Sequence, residues 1–106
     1  MQPPTLQDVY RARHLISRYL APTPLVRSAA MSEVLGCDVY LKLETAQPIG
    51  AFKVRGGINL VSQLTEDERA RGVITASTGN HGQSIAYAAR TFGVKAIIAA
   101  PERANP

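Results

Sequence analysis

The chain has 106 residues, of which 45% are hydrophobic and 19% charged, with a formal net charge of +4. This is the composition of about one small globular domain, and it excludes a disordered chain. The basic residues are scattered from Arg11 to Arg103 without a polybasic run, and the Tyr and Phe residues do not interleave with them, which argues against nucleic acid as a partner.

Met1-Gln2-Pro3-Pro4 has neither the charged and apolar blocks of a secretory signal nor the Arg- and Ser-rich pattern of a transit peptide. No apolar run reaches membrane-spanning length. The expectation is a cytoplasmic protein with no membrane partner. Thr5 with Asp8 forms a capping box, and Val9, Ala12, Ile16 and Tyr19 follow on one helical face, predicting a helix over 6–19. Ala21-Pro22-Thr23-Pro24 forces an extended segment. Ser28 as N-cap and Gly36 as C-cap bracket a short helix over 29–35. Cys37 is the single cysteine, so an intrachain disulfide and a zinc site of paired cysteines are both excluded; a reducing compartment fits, and no metal is expected.

Over 38–44 the pattern alternates, with Val39, Leu41 and Leu43 on one side and Tyr40, Lys42 and Glu44 on the other, which predicts a strand. A loop with Pro48 and Gly50 leads to a helix over 52–64, whose Ile58, Val61 and Leu64 have core spacing. Thr65 with Glu68 makes a second capping box, and Gly72 ends that short helix. Val73-Ile74-Thr75-Ala76, a polar turn over 77–82, a helix over 83–92 ended by Gly93, and an apolar run over 95–100 stopped by Pro101 form a βαβ unit. Such a unit requires a parallel sheet, so the architecture is α/β. Two strands do not complete a covered parallel sheet, and Ala104-Asn105-Pro106 reads as a turn where a domain should continue. The expectation is a truncated domain.

Two segments carry candidate chemistry. Ser77-Thr78-Gly79-Asn80-His81-Gly82 lies between a strand end and a helix start, where open α/β sheets hold ligands and unpaired N–H groups attract anions. The same residues also read as a plain turn, with Asn80 as a cap and His81 in solvent. Lys53 stands at a helix start, where a cation is disfavoured and the neutral amine that adds to an aldehyde is favoured. Taken alone, a lysine there reads as a solvated residue on a helix surface.

Together, Gly50-Ala51-Phe52-Lys53-Val54-Arg55-Gly56-Gly57 and Ser77-Thr78-Gly79-Asn80-His81-Gly82-Gln83 resemble the cofactor-lysine motif and the Asn loop of fold-type II pyridoxal-phosphate enzymes. Ala21-Pro22-Thr23-Pro24-Leu25 resembles that family's entry segment, and Tyr40-Leu41-Lys42-Leu43-Glu44 its strand before the lysine. His81 after Asn80 points to the threonine/serine dehydratases and serine racemases. The resemblance implies a partial fold-type II fold, with residues 1–45 in the large domain and 46–106 beginning the small Rossmann-like domain. It implies pyridoxal 5'-phosphate as cofactor, bound covalently by Lys53, with Phe52 shaping the ring pocket and Asn80 bonding the ring oxygen. Ser77, Thr78, Gly79 and His81 would receive the carboxylate of an amino-acid substrate. The implied reaction is β-elimination from threonine, serine or a related hydroxy amino acid, giving a 2-keto acid and ammonia, in a homodimer when complete. A racemase, another fold-type II lyase and a non-catalytic fragment are the alternatives. Thr78 stands where serine racemases carry a proton-donating serine, and neither the family's phosphate loop nor its residue facing the pyridine nitrogen has a candidate within the chain.

Overall fold

A computed structural model describes residues 2–103, and the turn expected at Ala104-Asn105-Pro106 lies outside the described residues. The first helix, α1 (Leu6–Ile16), starts at the predicted box: the Thr5 hydroxyl accepts the Asp8 N–H, and the Asp8 carboxylate accepts the Thr5 N–H at 2.8 Å. It ends three residues before the predicted limit. The Arg18 and Tyr19 N–H groups bond the carbonyls of Leu15 and Ile16 in tighter i to i+3 turns as the chain approaches Pro22. The side that faces the protein is also displaced from the predicted one, because Leu15 and Ile16 pack on the core while Val9 is exposed.

Strand β1 (Leu25–Arg27) pairs antiparallel with β2 (Tyr40–Lys42), Val26 opposite Leu41. The pairing continues at both ends through Leu43 N–H to the Pro24 carbonyl and Ser28 N–H to the Val39 carbonyl, each 2.9 Å. The strand predicted over 38–44 is therefore shorter, and its apolar alternation buries little: a two-stranded ribbon has no second layer, and all three residues of β2 are exposed. Strand β1 escaped prediction because three residues after a proline give no period to read. Between the strands, α2 (Ala29–Leu35) has the predicted caps, with Gly36 at φ 66°. Its buried Ser32 accepts the Val39 N–H at 3.0 Å and donates to the Ser28 carbonyl at 2.7 Å, fastening helix to ribbon.

Beyond a 3-10 turn over Glu44–Ala46, the chain forms α3 (Val54–Val61), α4 (Glu66–Arg71), β3 (Val73–Ala76), α5 (Asn80–Phe92) and β4 (Ala96–Ala99). The capping box at Thr65 and Glu68 is present, and Gly72 ends α4 at φ 82°, a conformation costly for any residue with a Cβ. Strands β3 and β4 are parallel, Val73 opposite Ala96 and Ile74 opposite Ile97, as the predicted βαβ unit requires.

The core lies between α3 and α5. Val54, Ile58 and Val61 recur at helical spacing and are fully buried, and they meet Ala88, Ala89, Val94 and Leu20. Small residues on α5 and Gly57 on α3 let the helices approach closely. A Cβ at Gly57 would stand 2.4 Å from Ser84 Oγ. This contact brings the beginnings of the two helices together, and with them both candidate motifs.

Candidate functional site

Lys53 is the N-cap of α3 and has no side-chain cap bond. The helix predicted from 52 begins at Val54, so Phe52 and Lys53 form the turn that leads into it. That turn follows a bend in which the Gly50 N–H bonds the Gln47 carbonyl at 2.7 Å, with Gly50 at φ 66°. The lysine amine is exposed and lies 5.7 Å from the centroid of the Phe52 ring, itself 60% exposed.

The second motif is more helical than its composition suggested. Helix α5 starts at Asn80 rather than 83, and its N-cap is Gly79, so Asn80 is the first helical residue and not the cap. The Ser77 hydroxyl accepts the N–H groups of Gly79 at 3.2 Å and Gly82 at 2.9 Å, tightening the loop around the end of β3. No hydrogen bond among the described residues takes up the N–H groups of Asn80 and His81. These are the free donors of a helix start, carrying partial positive charge. Gly82 is buried, and a Cβ there would fall 2.9 Å from the Ile98 side chain.

A cavity of about 290 Å³ opens beside this loop, lined in part by Ser77, Thr78 and Gly79. Three of the residues expected to receive a carboxylate therefore share one concave surface. His81 does not join them: its Nε2 lies 2.9 Å from Thr75 Oγ1, turning the ring toward β3. Asn80, Phe52 and Lys53 also lie outside that lining.

What joins the two motifs is Ser84, a residue the sequence pattern did not single out. Its hydroxyl, buried on α5, donates to the Lys53 carbonyl at 2.5 Å and accepts the Gly57 N–H at 3.2 Å. The signal in the sequence was the Gly56-Gly57 pair: glycine costs a helix up to about 1 kcal/mol relative to alanine, so its presence marks close approach. A second tie runs from the ribbon side. Arg55 donates through Nε and Nη2 to both carboxylate oxygens of Glu44 at 2.9 and 2.8 Å, and the Thr23 hydroxyl donates to Glu44 at 2.7 Å. The hydrogen bond from Arg55, then that from Thr23, holds the Glu44 carboxyl well below its ordinary value, at about 2. The lysine's helix is thus referenced to β1 and β2 as well as to α5.

The donor set fits the aldehyde end of pyridoxal phosphate: an exposed primary amine at the head of α3, an aromatic ring beside it, and free N–H groups with an amide side chain at the head of α5. Among the described residues no cluster of His, Cys, Asp and Glu is arranged to hold a metal, and no helix is long and apolar enough to cross a membrane.

Comparison with known proteins agrees with this fit. A family model described as pyridoxal-phosphate dependent enzyme matches residues 16–106. L-threonine ammonia-lyase of Thermotoga maritima is 44% identical over 100 residues, covering 94% of this chain and 25% of the relative. L-threo-3-hydroxyaspartate ammonia-lyase of Saccharomyces cerevisiae is 44% identical over 101 residues, 95% of this chain and 31% of the relative. Among solved structures, serine racemase from Dictyostelium discoideum superposes with a TM-score of 0.89 at 39% identity, over 95% of this chain and 33% of that one. The chain spans between a quarter and a third of the length of these relatives.

Proposed function

Because the chain belongs to the pyridoxal-phosphate dependent enzymes, of the fold-type II lyase and racemase kind, we propose that the protein carrying it converts a β-hydroxy amino acid, threonine or serine or a close relative, to a 2-keto acid and ammonia, the water lost with the β-hydroxyl being regained on hydrolysis. The observation that carries this reading is the pairing of an exposed amine at the head of α3 with an anion-attracting helix start at the head of α5, locked together through Ser84.

In this reading Lys53 supplies the amine that holds the cofactor, beside Phe52, and Asn80 donates its amide hydrogen to the ring oxygen. Ser77, Thr78 and Gly79 receive the substrate carboxylate in the cavity they line, and the free N–H groups at the start of α5 add positive potential there. His81, the fourth residue that the resemblance assigns to the carboxylate, is held at Thr75 outside that lining. The bound cofactor supplies an electron sink for the substrate α-carbon. Lys53 would hold the cofactor through its amine and, when that amine is free, would carry the substrate α-proton, the transfer that loss of a β-hydroxyl requires. Residues 1–45 belong to the large domain and 46–106 open the small one, in a homodimeric enzyme.

Racemisation is the second reading, supported by the likeness to serine racemase and made less favoured by Thr78, which stands where serine racemases carry a proton-donating serine. A protein loaded with pyridoxal phosphate and given L-threonine and L-serine separates the two, through keto-acid formation against appearance of the D-isomer. In the enzyme carrying this chain, Lys53→Ala is expected to remove the bound cofactor's visible absorbance and at least 99% of turnover, about two orders of magnitude or more. Activity above a few per cent in that variant would overturn the assignment of Lys53.

A further inference from the structure

We propose that Ser84 is a positioning residue for Lys53: its hydroxyl sets the direction of the lysine's main chain relative to α5. The proposal rests on the reading that Lys53 holds the cofactor.

Among the described residues, the main-chain hydrogen bonds of Lys53 all run through its carbonyl, to the N–H groups of Gly56 at 3.0 Å and Gly57 at 3.3 Å and to the hydroxyl of Ser84 at 2.5 Å. The first two lie within the lysine's own turn of helix. Only the third relates the lysine to another element. The same hydroxyl accepts the Gly57 N–H at 3.2 Å, so it bridges the donor and the acceptor of the first i to i+4 hydrogen bond of α3, whose N–H is shared between the Lys53 carbonyl and Ser84. Its one proton and an acceptor site are both committed, and at 1% exposure no water competes for them. A serine inside a helix ordinarily bonds a carbonyl of its own preceding turn. Ser84 reaches across to α3 instead, which the absence of a Cβ at Gly57 permits. Asn80 lies four residues earlier on α5, about 6 Å along the axis by the helical rise. Ser84 thereby places the candidate amine and the candidate amide in one rigid frame. A Ser84 that served packing alone would stabilise the helix pair without affecting the reactivity of Lys53.

The test uses the full chain, pyridoxal phosphate and borohydride, which traps amine-bound cofactor, with the labelled lysine identified by peptide mass. Lys42 and Lys95 in the same sample are internal references. The wild type is expected to label Lys53 fastest. In Ser84→Ala the Lys53 rate relative to the other two is expected to fall about tenfold, the scale on which lost positioning lowers reactivity. Val94→Ala, a core truncation beside the same helices, is expected to lower the unfolding temperature and leave that ratio unchanged. An unchanged ratio in Ser84→Ala, or an equal fall in Val94→Ala, overturns the positioning role. Absence of any Lys53 preference in the wild type overturns instead the assignment of Lys53 beneath it. Should Ser84→Ala not fold, Ser84→Cys carries the comparison: the thiol is a weaker donor, so a several-fold fall is expected and an unchanged ratio overturns the proposal.

Discussion

Lys53 is one of three lysines, and the other two stand in different settings. The Lys42 ammonium is taken up by the Thr23 carbonyl, and Lys95 leads from the end of α5 into β4, away from the loops that begin α3 and α5. Asn80 has a similarly specific position. One reading of the sequence made it a helix cap, but Gly79 occupies that place and Asn80 is already helical, so its amide is not needed to close the helix end. Asn80→Ala should therefore leave the fold intact, alanine being the better helix former. In the cofactor-loaded enzyme the variant is expected to keep covalent attachment, shift the cofactor's absorbance band and slow turnover about tenfold or more, because a lost hydrogen bond alters the ring's electronics. An unshifted spectrum would show that the amide does not reach the ring.

Between elements, two contacts hold α3 in place. The first is the close passage of Gly57 against Ser84: a Cβ would lie 2.4 Å from the hydroxyl and 2.5 Å from the main-chain oxygen, and the latter cannot retreat without moving α5. Gly57→Ala is expected to destabilise the chain by about 1–3 kcal/mol despite alanine's higher helix propensity, as urea unfolding would show. A neutral or stabilising result would mean the helices separate more easily than their packing indicates. The second contact is the half-buried pair of Glu44 and Arg55. In the unfolded chain Glu44 titrates near 4.5, and in the fold at about 2, chiefly through the bond from Arg55. A lowered carboxyl stabilises the fold above the unfolded value and loses that contribution as pH falls from 4.5 toward 2. Glu44→Gln should cost about 1 kcal/mol at neutral pH and make stability less steep over that acid window. Asp8 and Glu68, lowered by hydrogen bonds in their capping boxes, leave a residual slope in the same direction. Identical acid profiles for wild type and variant would remove the pair from any role in anchoring α3.

At the scale of the molecule, the described residues are spread out for their number. The radius of gyration is 16.8 Å, against about 13 Å for a compact domain of this length. One face of the βαβ unit is covered by α5; on the other, the register partners Ile74 and Ile97 are 74% and 51% exposed. Adjacent exposed isoleucines on a two-stranded parallel sheet form an adhesive patch, and both outer edges offer unpaired main chain. The 106-residue chain alone is expected to self-associate in sedimentation experiments, and Ile74→Lys should shift it toward monomer. With excess pyridoxal phosphate it is expected to form no measurable keto acid from threonine or serine, since no segment of the sequence supplies a loop for the cofactor phosphate and positioning by that group is lost. A monodisperse chain with turnover would contradict both expectations.

The α/β class, the βαβ unit, both capping boxes and the two motifs were legible in the sequence because each depends on neighbours within a few residues: side-chain period, cap chemistry and glycine placement. The family resemblance was legible for the same reason, since two short motifs in fixed order carry it. Tertiary structure decided the rest. It paired Leu25–Arg27 with Tyr40–Lys42, moved the start of α5 to Asn80, and turned His81 toward Thr75. It also placed Ser84 against Lys53 across 31 residues of sequence and Glu44 against Arg55 across 11. Those contacts depend on how closely two helices pack and on which carbonyl a buried hydroxyl can reach, quantities that exist only once the chain has brought distant residues together.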